Sequence, residues 1–184
     1  MIAYHFLRAN MTSPRAPRTK WVEGQSRTLK GEIIPSWRGY HGSPSLYDAL
    51  TYAPGPVACL VELSGSIVPG RSKFAASTRK LIRAVNIEEE LWLFAGDCTE
   101  HVRWIYERDF PNDDPRRKDI LAVRDYAEGE TDVASAAAWA MTAAAVAAAA
   151  LAGEDGSAAA WMAAEAERDW QQRQFEQRFG GIFD

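Results

Sequence analysis

The sequence predicts an α+β fold: a small twisted β-sheet with one short helix over residues 1–86, followed by an alanine-rich α-helical bundle over residues 87–184. Three observations point there. Residues 57–68, VACLVELSGSIV, form a near-continuous apolar run in which Glu62 is the only charge, the composition of an interior strand. From Asn86 onward the apolar spacing changes to the helical period, with Ile87, Leu91, Phe94, Ala95, Cys98, Val102 and Ile105 on one stripe. The charge reverses at the same place. Residues 1–86 carry 12 Lys and Arg against 4 Asp and Glu, net +8, whereas residues 87–184 carry 9 against 21, net −12. The chain therefore reads as a basic β-rich domain and an acidic α-helical domain.

In chain order, residues 2–7 alternate weakly and are aromatic-rich, which suits a first strand. The stretch NMTSPRAPRTK holds two prolines and three basic residues without an acid, and is expected to be a solvated loop able to touch phosphate. Residues 21–34 suit one or two edge strands, with turns at Gly24 and Gly31 and a stop at Pro35. Ser43-Pro44-Ser45 reads as a helix start, with Ser43 as cap, Pro44 in the first position, and Leu46, Ala49 and Leu50 on one face. Pro54 and Pro56 must end that helix. Residues 57–68 form the central strand, with Gly65 as a bend or bulge. After the turn at Pro69-Gly70, residues 73–85 supply another strand, or a strand running into a helical turn.

Asn86 and Glu89 have the form of a capping box and open a helix of about 20 residues. A second helix follows Asp114-Pro115 and runs to Gly129. A third runs from Thr131 or Asp132 to Gly153, and a fourth from Ser157 to Gly180. Residues 133–153 carry no charge and are long enough for a membrane span, but alanine contributes little to insertion, so an antiparallel helix pair is expected instead. Trp139, Trp161 and Trp170 are the candidate interface residues, and a homodimer through these C-terminal helices is expected.

The composition, 47% hydrophobic and 25% charged, excludes disorder throughout. Cys59 and Cys98 lack metal-ligand spacing and read as reduced core residues, and the first ten residues lack the pattern of a secretory signal, so the cytoplasm is the expected compartment. There is no Walker loop, G-x-G-x-x-G, G-x-S-x-G or H-E-x-x-H motif. His5, His41 and His101 lie far apart in sequence. No catalytic residue, metal or cofactor is assigned. The candidate binding residues are basic and aromatic, Arg15, Arg18, Lys20, Arg38, Tyr40, His41, Tyr47 and Tyr52, with Trp21 and Trp37 nearby, a mixture that can stack bases while its charges take phosphates.

Ala3-Tyr4, Gly39-Tyr40-His41, the segment from Pro44 to Leu50 followed by Tyr52 and Pro54, and the apolar run ending at Ser64-Gly65 resemble an uncharacterised domain family that recurs in bacteriophage and prophage genomes. A cysteine or small residue usually follows the histidine step in that family; Gly42-Ser43 stands here. The second half, through Phe110-Pro111 and the run from Pro115 to Glu130, is similar to alanine-rich helical segments of immunity proteins. These resemblances imply a phage or prophage origin and a bacterial host cytoplasm. The expected function is then that of a non-enzymatic protein that binds a macromolecular partner. That partner is a host or phage protein, or a nucleoprotein complex of host defence inhibited in the manner of an anti-CRISPR. Tyr40-His41-Gly42-Ser43 also resembles the strand by which ADP-ribosyltransferases hold NAD, which implies an enzyme around His41 needing a downstream acid, for which Glu62 is the nearest candidate besides Asp48. A nucleic-acid-contacting accessory or structural protein is the third reading.

Overall fold

The computed structural model describes residues 1–13, 20–109 and 158–184. The described chain is α+β and divides into two compact units, Met1–Glu88 with Gly181–Asp184, and Glu89–Gly180.

The first unit is a five-stranded antiparallel sheet. Strand β1 (Ile2–Leu7) pairs with β4 (Val57–Pro69), β4 with β5 (Phe74–Asn86), and both β2 (Ser26–Thr28) and β3 (Tyr40–Gly42) with β5. The apolar run of residues 57–68 is thus an interior strand, as its composition predicts. The segment after Pro69-Gly70 is strand throughout. β-Branched and apolar residues on β5 let it pair on both edges with β4 on one side and β2 and β3 on the other. One sheet face carries Ala3, Leu7, Val57, Cys59, Val61, Leu63 and Leu81, and with Trp21 and Ala76 these form the core. Gly65 has a φ of 74° and lies where the β4–β5 register shifts between Ser64 and Ile67, the bulge that its sequence context predicts.

Residues 21–34 hold one edge strand, β2, between Gly24 and Gly31, whose left-handed conformations (φ 80° and 94°) supply the turns that the sequence predicts. One expectation is corrected in detail. Helix α1 (Leu46–Leu50) is capped by Ser45, not Ser43: the Ser45 Oγ accepts from the Asp48 amide at 3.0 Å. Ser43 is committed elsewhere, exchanging backbone hydrogen bonds with Tyr4 at 2.9 and 2.7 Å. Leu46, Ala49 and Leu50 are buried on the predicted face.

Helix α2 (Glu88–Asp109) starts where the period changes, and Asn86 Oδ1 accepts from the Glu88 amide at 3.1 Å. Leu91, Phe94, Ala95 and Cys98 form its buried stripe; Val102 and Ile105 lie outside the described side chains. Helix α3 (Ala158–Phe179) packs on α2 within the second unit. Phe94 meets Phe175 edge-on at 5.1 Å and Phe179 at 6.3 Å. Buried Glu167 joins the pair, taking His101 Nδ1 at 2.9 Å on one oxygen and a hydrogen bond from Gln171 Nε2 at 2.9 Å on the other. The helices expected over residues 115–129 and 131–153 lie outside the described residues, as does the remainder of the alanine-rich bundle. Among the described residues no helix is long and apolar enough to cross a membrane.

Both cysteines are buried and unpaired, as their apolar neighbourhoods predict, and burial raises both thiols, that of Cys59 to about 12. Neither is a nucleophile at neutral pH.

Candidate functional site

The first unit contains a cavity of about 370 Å³ beside the outer edge of β5. Antiparallel pairing places Arg79 opposite Leu63 on β4 and opposite Arg27 on β2. Directly opposed residues share a face, so Arg79 points to the same side as the core residue Leu63. It is 3% exposed.

What holds a charged guanidinium there is a cage of rings and oxygens. Its Cζ stands 4.3 Å from the Trp21 ring and 5.4 Å from the Tyr40 ring, which meet each other edge-on at 5.6 Å. Its Nη1 donates to the His41 carbonyl at 3.0 Å and its Nη2 to Ser13 Oγ at 3.3 Å, while Trp21 Nε1 donates to the same hydroxyl at 3.1 Å. Arg27 lies over the other part of this arrangement, 4.3 Å from Trp21. No carboxylate pairs with Arg79 among the described residues, and its Nε has no hydrogen-bond partner among them. Burial is the main reason its pKa falls to about 10, and Arg27 pushes it the same way. Both folded and unfolded chains hold this proton at neutral pH. The penalty is therefore constant there, and relief begins only as pH rises past about 10.

The rest of the lining continues the theme. Lys73 stands 4.1 Å above the Tyr52 ring, whose hydroxyl lies 2.7 Å from Ser72 Oγ, and Arg38 donates to the Lys30 carbonyl. Arg27, Arg38, Lys73 and Arg79 all line the cavity, and no acidic side chain does among the described residues. Four cations in a lining that holds no acid among the described residues make a local positive potential in a place partly shut off from water.

The strand β3 is held against the sheet by the absence of side chains. A Cβ on Gly42 would lie 2.9 Å from Ala3 Cβ and 3.2 Å from Leu63 Cδ1, and one on Gly39 would lie 3.1 Å from both Ala75 Cβ and Ile33 Cγ2. Gly42→Ala is therefore expected to destabilise the first unit by about 1–3 kcal/mol through overpacking, read by denaturant titration. A loss under about 0.5 kcal/mol would show that β1 and β4 yield freely at this point.

His5, on β1, also lines the cavity, and its Nε2 is closed off from solvent without a hydrogen-bond partner among the described residues. Burial, then the charges of Arg79 and His41, hold its pKa well below the usual imidazole value, so it is neutral. The unfolded chain takes up this proton below about pH 6.5 and the folded chain does not. Stability is thus expected to fall on acidification below that point, by up to about 1.4 kcal/mol per pH unit from this group. His5→Leu should flatten that slope in thermal unfolding measured between about pH 7 and 5; an unchanged slope would assign the acid sensitivity to other groups.

Of the residues that sequence singles out for binding, Arg38, Tyr40, His41 and Tyr52 line this cavity. Tyr47 sits on α1 and Lys20 is exposed, neither among the lining residues, and Arg15 and Arg18 lie outside the described residues. Trp21 and Trp37, noted for their basic surroundings, are in the lining; Arg27, Lys73, Arg79 and His5 join them without a sequence signal beyond charge. Glu62 is exposed, opposite Ile2 and Lys80. It neighbours Leu63, whose partner Arg79 lines the cavity, so strand alternation turns Glu62 to the other face. Among the interface candidates, Trp161 is 66% exposed, Trp170 stacks on the His101 ring at 3.6 Å within 2° of parallel, and Trp139 lies outside the described residues. No group of His, Cys, Asp and Glu among the described residues is arranged to hold a metal. No family model, curated protein or solved structure matches this chain, and the cavity is understood from its own chemistry.

Proposed function

We propose that the first unit is a binding module for a phosphorylated nucleoside, with the phosphate drawn to Arg79 and its neighbouring cations. The observation that carries this reading is Arg79 itself: a buried guanidinium on an interior strand, lining a cavity, with an unspent donor and no carboxylate partner among the described residues. Leaving a buried donor unsatisfied costs about 1–3 kcal/mol and burying the charge without a carboxylate costs more, and an anion in the cavity offsets part of the cost of the buried charge. The aromatic share of the lining favours a ligand that also carries a flat ring, and the volume lies within the range of small-molecule sites, about 300–1,000 Å³.

The lining favours binding over group transfer. A transferase acting from His41 needs a carboxylate beside its ligand, and Glu62 faces away. Within the phage or prophage setting implied by the resemblance, we read the chain as a non-enzymatic protein that acts on a host nucleoprotein complex, with this cavity as its nucleotide-recognising site. The capture of a protein partner by acidic helices concerns a half of the chain of which residues 110–157 lie outside the described structure.

Isothermal titration of the full chain with adenosine 5′-monophosphate and with adenosine tests the reading. The monophosphate should bind at least about tenfold tighter, a difference of about 1.4 kcal/mol, and lose affinity as salt is raised. Equal affinity for adenosine, or no saturable binding of the monophosphate up to about 1 mM, would remove the basis for the proposal.

A further inference from the structure

We infer that the cavity receives the phosphorylated end of a single-stranded nucleic acid, with the terminal phosphate toward Arg79 and the base of the second nucleotide stacked on Trp37 at the cavity's edge. This rests on the nucleotide-binding reading above and asks what the nucleotide is attached to.

The depth of Arg79 argues for an end. Its guanidinium is enclosed by Trp21 and Tyr40 and pinned to the His41 carbonyl and Ser13, and the wall behind β3 is packed so closely that Gly42 has no room for a methyl group. A phosphate inside a strand carries a sugar on each side and would have to enter this closed space with chain continuing in both directions. A terminal phosphomonoester projects from the chain and reaches inward alone. It also carries a charge of about −1.5 to −2 near neutral pH, more than a diester's single charge, which suits a lining with four cations and no acid among the described residues.

The size of the cavity argues that the strand goes on outside it. At about 370 Å³ it sits near the lower bound for ligand sites, room for one nucleotide and not for two. At its edge stands Trp37, 76% exposed. The turn that carries this indole is held by backbone hydrogen bonds. The Ile34 carbonyl accepts from the amides of Trp37 at 3.1 Å and Arg38 at 2.7 Å, the Ile34 amide donates back to Arg38 at 2.8 Å, and Ser36 takes a left-handed φ of 64° to close the turn. Arg38, the next residue, lines the cavity. An exposed ring beside a cation is an arrangement on which a base stacks while its phosphate is neutralised. The net +8 of residues 1–86 supplies long-range attraction for a polyanion.

The test is fluorescence anisotropy of the full chain with single-stranded six-nucleotide RNA and DNA, each bearing a 5′-phosphate, a 3′-phosphate or hydroxyls at both ends, the dye on the end not under test. Competition with adenosine 5′-monophosphate is measured alongside. One of the two phosphorylated ends should bind at least about tenfold tighter than the hydroxyl-ended strand, and tighter than the mononucleotide. Trp37→Ala, at an exposed position that leaves the fold intact, should reduce the strand's advantage over the mononucleotide about fivefold or more, the equivalent of about 1 kcal/mol of stacking. A mononucleotide that binds while the strand binds no tighter overturns this inference and leaves the module reading standing. So does a strand whose affinity ignores its terminal phosphate, or an advantage that survives Trp37→Ala. If neither mononucleotide nor strand binds, both readings fall together.

Discussion

Arg79→Met is expected to abolish phosphate-dependent binding, weakening adenosine 5′-monophosphate at least about 100-fold, while the protein stays folded. The loss follows from charge-assisted hydrogen bonds worth about 1.5–3 kcal/mol each, made in a space where water does not compete well. Methionine keeps the volume and the contact with Trp21 and removes only the charge and its donors. Folding should be nearly indifferent because two effects oppose. Burying the guanidinium without a carboxylate is costly, which its lowered pKa of about 10 reports, and methionine ends that cost. Against this, the His41 carbonyl and the Ser13 hydroxyl lose their donor. A circular dichroism melt establishes that the fold is kept, and titration gives the affinity. Arg27→Met, at a half-buried position on the edge strand, should weaken binding by only about fivefold. If Arg79→Met binds within threefold of the parent, Arg79 is a structural residue and the site has another purpose. The parent protein should also melt at higher temperature when saturated with the monophosphate, since a ligand that binds only the folded state stabilises it by mass action.

Phe94→Ala is expected to cost the second unit about 3–5 kcal/mol, the usual penalty for deleting a buried phenyl ring. Phe94 is fully buried on α2 and meets Phe175 and Phe179 of α3, which are themselves 4.2 Å apart and buried. One ring therefore supports two others, and its removal leaves a cavity between the two helices. The polar links between the same helices do not compensate. The Arg178–Asp97 ion pair, at 2.6 Å, is partly exposed and contributes no more than about 1 kcal/mol. The measurement is urea unfolding followed by the helical circular dichroism signal, with Phe175→Leu as a milder companion expected to lose about 1–1.5 kcal/mol. A loss under about 1.5 kcal/mol for Phe94→Ala would mean that these rings are not what packs α2 on α3.

What the sequence determined by itself is local in origin. An apolar run such as residues 57–68 has few alternatives to an interior strand, and the change of period at Asn86 marks a helix wherever the rest of the chain goes. The burial of Leu46, Ala49 and Leu50 follows from their spacing alone. Tertiary structure decided the cap of that helix, because Ser43 and Ser45 have the same intrinsic capacity and only the pairing of Ser43 with Tyr4 removes one of them. It also decided the site. In the sequence Arg79 is one of several cations on a basic strand, no different from Lys80 beside it. The register between β4 and β5 shifts between Leu60 and Val61, so that Leu60 faces Arg83 but Val61 faces Leu81 and Leu63 faces Arg79. Without that one-residue shift Lys80 would stand opposite Leu63, since a slip of one residue turns every side chain to the other face. The shift depends on pairing between residues about 20 apart, while Trp21, Ser13 and His41 arrive from still farther along the chain. Periodicity and composition report neighbours in sequence, and the cage around Arg79 is built from residues that become neighbours only in the sheet.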